Sequence, residues 1–468
     1  MFAKLRPLLF ACVSLPAFQG CAGNAGGVAA PPLRGDSPWA LHGHVVGEEG
    51  AKPAWIVVRG GAIDAVVEDE AALPRDIGRK TRFDGYVFPG LIDTHNHVSW
   101  NVMPGRSLGS WSHRFEWQKD PQYLKDVYNT YYRTVHHRGL TQAATLYGEI
   151  RAIIGGTTLI QSSYAAPEPD VLIRNLDRTH GSESITFPLL LEEAKVRGLV
   201  EALENGSLRR LFVHLAEGPH VDPKFDEFKF LKESGLLRKG VVVIHGLGLS
   251  DDQMKEVIAS GMFLVWSPQS NWSLYRKTVD FEAFSRKGLT ISIAPDWSIT
   301  GSDNVLEELR FAESWVQSKT ARPGKIQSPP GLATELFKMA TVNAAKVCGL
   351  EDRVGRIAPG YFADFFLADR KETQVAPGEI PAHNSLLRTY PRDIRLVFVN
   401  GRALYGDIAM LEQWTDAREM DPLQVQGTPK GIVLTKPDRK FLEGIGRWPE
   451  LVKKLSESVP RLAELVED

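Results

Sequence analysis

From Trp39 to Tyr86 apolar and polar residues alternate in short runs, "WIVVRG", "AIDAVV" and "KTRFDGYV", separated by glycine, aspartate and proline. Alternation with period two sends successive side chains to opposite faces, so this stretch predicts a small antiparallel sheet. After about Gly90 the rhythm becomes apolar run, polar loop, amphipathic helix, repeated. The predicted strands are "GLIDTH", "TTLIQSS", "VLIRNL", "SITFPLL", "LFVHLAE", "VVVIHGL", "FLVWSP" and "LTISIAPD"; the third could equally begin a helix. Between several of them lie patterns of helical period, such as Glu192 to Glu204 and Ser250 to Ser260. Strands and helices alternating in this way predict an α/β fold, a TIM-like (β/α)8 barrel over residues 89–345.

The β character returns in "GRIAPGYFADFFLAD" and "DIRLVFVNGRALYGD". Two β-rich pieces flanking the barrel, residues 37–88 and 346–410, are expected to form one composite β-sandwich. From Arg439 to Val466 the apolar residues Phe441, Leu442, Ile445, Trp448, Leu451, Leu455, Val459 and Leu462 recur at roughly helical spacing. Arg439 to Val466 is therefore expected to pack as a helix pair, within a C-terminal helical extension over residues 411–468.

A chain of 468 residues can bury a sizeable core. With 55 basic and 57 acidic side chains, and no long block of one sign, nothing points to nucleic acid as a partner. The first twenty residues differ from the rest: Lys4 and Arg6 precede "LLFACVSLPAF", an apolar run suited to a secretory signal peptide. Residues 21–36 then form a small-residue tether beginning at Cys21. "FQGC" resembles a bacterial lipoprotein signal, which would make Cys21 a lipid anchor and place the protein in the cell envelope or periplasm; the alternative is an ordinary cleaved signal. The cysteines are Cys12, Cys21 and Cys348, too few outside the leader for a disulfide framework. The absence of any C-x-x-C excludes thiolate zinc ribbons and thiolate-ligated nucleobase deaminases.

The candidate chemistry begins in "FPGLIDTHNHVSW". Residues two apart in a strand share a face, so His95 and His97 can converge on one point. A single H-x-H is weak evidence. However, His214 and His245 also end apolar strands, and Asp296 closes another. In a barrel all strand C-termini meet at one rim, where these groups would face one cavity. Three imidazoles and a carboxylate suit zinc or ferrous iron. Glu217 follows His214 by three residues, and Gly218 and Pro219 can turn the chain inward, so its carboxylate could move protons at the same site. The ordinary readings are hydrogen-bonded strand-end histidines and a solvated loop carboxylate; for all these positions together they require several coincidences.

Taken in order, "PGLIDTHNH", "GTT" at Gly156 to Thr158, "HLAEG", "IHG", "SPQSN", "APDWSITGSDN", "TVNAAKVCGL", "GRIAPGYFADFF" and "VFVNGRALYGD" resemble the amidohydrolase superfamily. The likeness is to its mononuclear branch, which includes cytosine-type and guanine deaminases, S-adenosylhomocysteine deaminase and atrazine chlorohydrolase. It implies His95, His97, His214 and Asp296 as ligands of one divalent metal, zinc ahead of iron. It further implies Glu217 as proton carrier and His245 as the group that polarises the scissile bond or holds the water, and Asp296, beside that water, could accept its proton. The implied reaction is hydrolysis of a carbon–nitrogen bond other than a peptide, on a small and possibly heterocyclic substrate; a homodimer is plausible. "SITFPLL" carries no lysine, which argues against the binuclear amidase or dipeptidase alternative. An exported, catalytically inactive binding protein is the other alternative. An aromatic insertion between Trp100 and Tyr132 could cover the site or simply pack against the barrel.

Overall fold

The computed structural model describes residues 37–466 apart from 164, 167–169, 171, 222–224, 321–327, 372–374, 376–377 and 435–444. The leader, the tether and Cys21 lie outside the described residues, as do Phe441 and Leu442. The alternating segments at the start form β1 (Trp39–Gly47), β2 (Gly50–Arg59), β3 (Ala62–Val67) and β4 (Arg79–Pro89). Gly90 then passes the chain directly into β5 (Leu91–Asp93). A Cβ at Gly90 would lie 2.0 Å from the Thr158 hydroxyl oxygen, so only glycine allows this close passage.

The short parallel strands follow in sequence order: β5 with β6 (Thr157–Ile160) and β7 (Arg174–Asn175), then β8 (Ser182–Ile185), β9 (Arg210–Leu215), β10 (Val241–His245), β11 (Phe263–Trp266) and β12 (Ile291–Ile293). They pair as a three-stranded sheet and a five-stranded sheet, a TIM-barrel-like α/β arrangement. The expected single barrel sheet is thus divided. β7 is only two residues long because Leu176–Thr179 turns into a helix, the reading that "VLIRNL" left open. Pro188 ends the following strand region in a 3₁₀ turn. The two sheets are joined at the other seam by a parallel bridge, Asn96 to Asp296. Inner strands such as β10 are buried throughout, as parallel strands covered on both faces must be. Helices Glu193–Glu204 and Asp251–Ala259 occupy the predicted segments, the latter opened by a Ser250–Gln253 capping box.

β13 (Phe365–Ala368), β14 (Ile394–Val399) and β15 (Arg402–Gly406) join β1–β4 as expected of a composite domain. Their pairing links all nine strands into one continuous hydrogen-bonded sheet, which curls so that Trp39 of β1 meets Phe398 of β14 with ring centroids 5.2 Å apart. The joint is β4 against β13, where Phe88 stacks on Phe366 with centroids 5.2 Å apart. Each such buried aromatic contributes about 1.5–3 kcal/mol, which welds the two ends of the chain together.

The C-terminal expectation needs correction. Residues 411–468 are not simply helical: β16 (Met420–Val425) and β17 (Thr428–Val433) form a hairpin on the edge of the nine-stranded sheet. Gln426 and Gly427 take φ of 49° and 74°, the two left-handed residues that a tight hairpin turn requires. Alternation in "MDPLQV" carried that signal, and the stronger helical spacing downstream masked it. In place of a helix pair, the described residues hold one helix there, Trp448–Ser456, whose Trp448 stacks on Tyr147.

Candidate metal centre

His95 and His97 lie just beyond β5, and backbone pairing fixes them. Asp296 N–H donates to the His95 carbonyl at 3.2 Å, and His97 N–H donates to the Asp296 carbonyl at 2.7 Å. The side chain of Asn96 turns the other way, donating to Asp93 at 2.7 Å and accepting from Asn101 at 2.9 Å. This packing leaves both imidazoles facing the strand ends, with centroids 5.0 Å apart. His95 Nε2 is 3.1 Å from Asp296 Oδ1 and His97 Nε2 is 3.4 Å from the same oxygen.

His214, near the end of β9, brings its ring to 4.7 Å from that of His95. His245, the last residue of β10, places its ring 5.4 Å from His214. Two overlapping groups therefore hold ligand-capable atoms within 4.8 Å of one another: His95, His97 and Asp296, and His95, His214 and His245. Three of the residues at or just past these strand ends, Ala216, His245 and Asp296, have φ of 49°, 68° and 71°. Left-handed backbone at residues other than glycine is strained, and such strain concentrates where a site must be aimed.

The electrostatics of the cluster fit a cation. Burial pushes His214 well below its ordinary value, and His95, His245 and His97 push the same way. His97, with 29% of its side chain exposed, is lowered to about 4 by desolvation and by His95. Burial opposes ionisation of Asp296, but its hydrogen bond from His95 and the surrounding imidazoles outweigh this and hold the carboxyl well below the usual range. His95 moves up: burial would lower it, and Asp296 prevails. The site thus combines neutral nitrogen donors, an anionic oxygen and a place beside Asp296 that favours positive charge, the donor chemistry of a divalent ion. His214 Nδ1 is buried without a hydrogen-bond partner among the described residues, as an atom awaiting a ligand bond would be.

Glu217 is buried, and the chain does curl inward after β9. Its Oε2 lies 3.8 Å from His245 Nε2 and 3.8 Å from Arg114, and its Oε1 accepts from Tyr275 at 2.7 Å. Several residues of the site were not singled out by the sequence. Helix Pro268–Tyr275 supplies three of them: Ser270 donates to Asp296 Oδ2 at 2.6 Å, Asn271 meets His245 Nδ1 at 3.1 Å, and Tyr275 meets Glu217. Gln161, past β6, meets His95 Nδ1 at 3.3 Å. Asn271 and Tyr275 are four apart and share a helix face, a usable signal once "SPQSN" is read as a helix start.

The insertion packs against the segments that follow the strands. Its backbone is stitched to two strand-end loops and a helix by Arg106 N–H to Ile299 at 2.8 Å, Arg114 N–H to Glu217 at 3.0 Å and, in helix Pro268–Tyr275, Trp111 N–H to Leu274 at 2.8 Å. Trp100 stacks on Tyr131 at 3.8 Å, and Trp297 lies within 6.1 Å of Trp100 and 5.7 Å of His97. Arg114 pairs with Glu227, whose other oxygen accepts from Ala216 N–H at 2.8 Å.

A barrel-like α/β fold with imidazoles and a carboxylate gathered at its strand ends defines a metal-dependent hydrolase. Residues 215–404 match the amidohydrolase family. The 5-methylthioadenosine/S-adenosylhomocysteine deaminase of Pyrococcus furiosus is 23% identical over 74% of this chain and 91% of its own length. That of Desulfitobacterium hafniense is 24% identical over 80% and 91%. Among solved structures, a zinc-bound adenosine deaminase from Xanthomonas campestris superimposes with a TM-score of 0.63 at 14% identity, covering 90% of this chain and 98% of that one. Guanine deaminase of C. acetobutylicum with bound guanine gives 0.60 at 16% identity, covering 78% and 99%. The match over residues 215–404 and the likeness to these deaminases support a deaminase-like member of the amidohydrolase superfamily, a hydrolase of carbon–nitrogen bonds other than peptide bonds.

Proposed function

We propose that this chain is a mononuclear deaminase of small nitrogen heterocycles, with His95, His97, His214 and Asp296 holding one divalent ion, zinc in preference to iron. The observation that carries this reading is the convergence of two ligand groups on His95, one with His97 and Asp296 and one with His214 and His245, with Glu217 Oε2 3.8 Å from His245 Nε2. A divalent ion in that set supplies Lewis acidity, which lowers the pKa of water from about 15.7 to near 7. Asp296 accepts the proton of the attacking water. Glu217 hands a proton to the nitrogen of the attacked carbon–nitrogen bond, and His245, oriented by Asn271, donates to charge that develops on the substrate. The aromatic wall of Trp100, Trp117 and Trp297 favours a flat ring. The names of the relatives, deaminases of purine compounds, support the same substrate class.

No lysine lies on β8, which supports one ion rather than two. The test is metal analysis together with an ammonia-release assay over amino-purines, amino-pyrimidines, amino-triazines and cyclic amides. One equivalent of metal and ammonia from an amino-heterocycle are expected. Two equivalents per chain, or activity confined to amides, overturns the reading. The leader pattern supports export with Cys21 as the lipid attachment point; mass spectrometry of the mature terminus finding an unmodified residue beyond Cys21 rejects that part.

A further inference from the structure

An indole N–H can only donate a hydrogen bond, and this fixes the direction of a buried relay. Trp117 Nε1, from the insertion, lies 2.8 Å from the Tyr275 hydroxyl oxygen, which lies 2.7 Å from Glu217 Oε1. Tyr275 accepts from Trp117, so its one phenolic proton is left for Glu217. All three side chains are buried, and water does not compete for these positions. Burial and the adjacent Glu217 also hold the phenol of Tyr275 well above its ordinary range, so the proton stays on it. Oε1 of Glu217 is therefore committed as an acceptor. The remaining oxygen, Oε2, faces His245 and Arg114.

A second relay of the same construction ends on the other carboxylate. Trp297 Nε1 donates to Thr300 Oγ1 at 2.5 Å, Thr300 lies 2.9 Å from Ser270 Oγ, and Ser270 donates to Asp296 Oδ2 at 2.6 Å. Asp296 likewise has one oxygen taken and one, Oδ1, turned to His95 and His97. Each carboxylate thus presents a single oxygen to the site.

We propose that Tyr275, oriented by Trp117, is a positioning residue that reserves Glu217 Oε2 as the one oxygen through which protons pass. The proposal rests on the deaminase reading above. In that reaction the water oxygen bonds to the amine-bearing carbon, the C=N electron pair moves to the ring nitrogen, and that nitrogen takes the proton from Oε2. Asp296 takes one proton of the water and passes it to Oε2 in its place. The other goes to the departing amine, the carbon–nitrogen bond breaks with its pair on nitrogen, and ammonia and an oxo-heterocycle leave. A proton on Oε1 would instead point at Tyr275, away from His245.

Neutron diffraction from perdeuterated, metal-loaded protein tests the placement directly. Deuterium on Tyr275 directed at Glu217 Oε1 is expected; deuterium carried by Oε1 itself overturns the proposal. In kinetics, Tyr275→Phe should lower kcat by about 10- to 100-fold, a part of the 10²–10⁴ that general acid–base catalysis supplies, with KM within about twofold. Trp117→Phe should cause a smaller loss of the same kind. An unchanged kcat in Tyr275→Phe, or a loss confined to KM, rejects the positioning role. If the parent enzyme releases ammonia from no amino-heterocycle, the deaminase reading fails, whereas the neutron map still decides which oxygen is reserved.

Discussion

Gly218 is where the insertion meets the loop that carries Glu217, and replacing it with alanine tests whether that contact completes the site. Gly218 has φ of +121°, and a Cβ there would lie 2.4 Å from His113 Cα and 2.5 Å from the Ser112 carbonyl oxygen. Both obstacles are backbone, so a rotamer change relieves neither. Backbone strain of this kind costs about 1–3 kcal/mol. Relief by lifting the insertion breaks two hydrogen bonds, Arg114 N–H to Glu217 at 3.0 Å and His220 N–H to Ser112 at 3.2 Å. At about 0.5–1.5 kcal/mol each, these bring the total to roughly 2–6 kcal/mol. Lifting also withdraws Arg114 and Trp117 from Glu217 and Tyr275, so activity should fall with stability. Metal content should stay near that of the parent, because the proposed ligands lie just beyond β5, on β9 and in the segment after β12. Urea unfolding, single-turnover rates and metal analysis of Gly218→Ala read the three quantities. A variant that loses less than about 1 kcal/mol and turns over at the parental rate would falsify this account of the insertion.

His214→Ala should reduce bound metal by at least about tenfold, since even outer partners of ligands matter to that degree; chelation of the parent should lower its stability by about 2.7 kcal/mol relative to metal at 100 times Kd, measured by thermal unfolding. Asn271→Ala leaves His245 Nδ1 without its partner at 3.1 Å, and should lower kcat about 10- to 100-fold; lost metal in this variant would make His245 a ligand instead. Glu149, raised to about 8 chiefly by burial despite bonds from Ser163 and Asn175, keeps its proton in the fold while the unfolded chain releases it near 4.5. The fold therefore binds the extra proton between those values, and stability falls as pH rises through that window. Glu149→Gln removes the effect, so its advantage in unfolding free energy should grow from pH 5 to pH 8; a constant difference between variant and parent rejects the assignment.

By itself the sequence determined what local periodicity can carry: the short apolar parallel strands, the helices at Glu193–Glu204 and Asp251–Ala259, and the β-rich flanks. It also exposed His95, His97, His214, His245 and Asp296 as strand-end groups, because apolar runs that stop at a polar ligand type stand out in one dimension. Where two local signals competed, the stronger hid the weaker. The hairpin Met420–Val433 lay beside a louder helical pattern, and "VLIRNL" divided between a two-residue strand and a helix turn. Only the tertiary structure decided the rest. The pairing of Asp296 with the histidine segment, the approach of Arg114 and Trp117 from the insertion, and the three contacts of helix Pro268–Tyr275 join residues more than a hundred positions apart or drawn from different elements. A hydrogen bond between distant segments leaves no period in the sequence, since its distance and direction are set by how the barrel strands bring the loops to one rim.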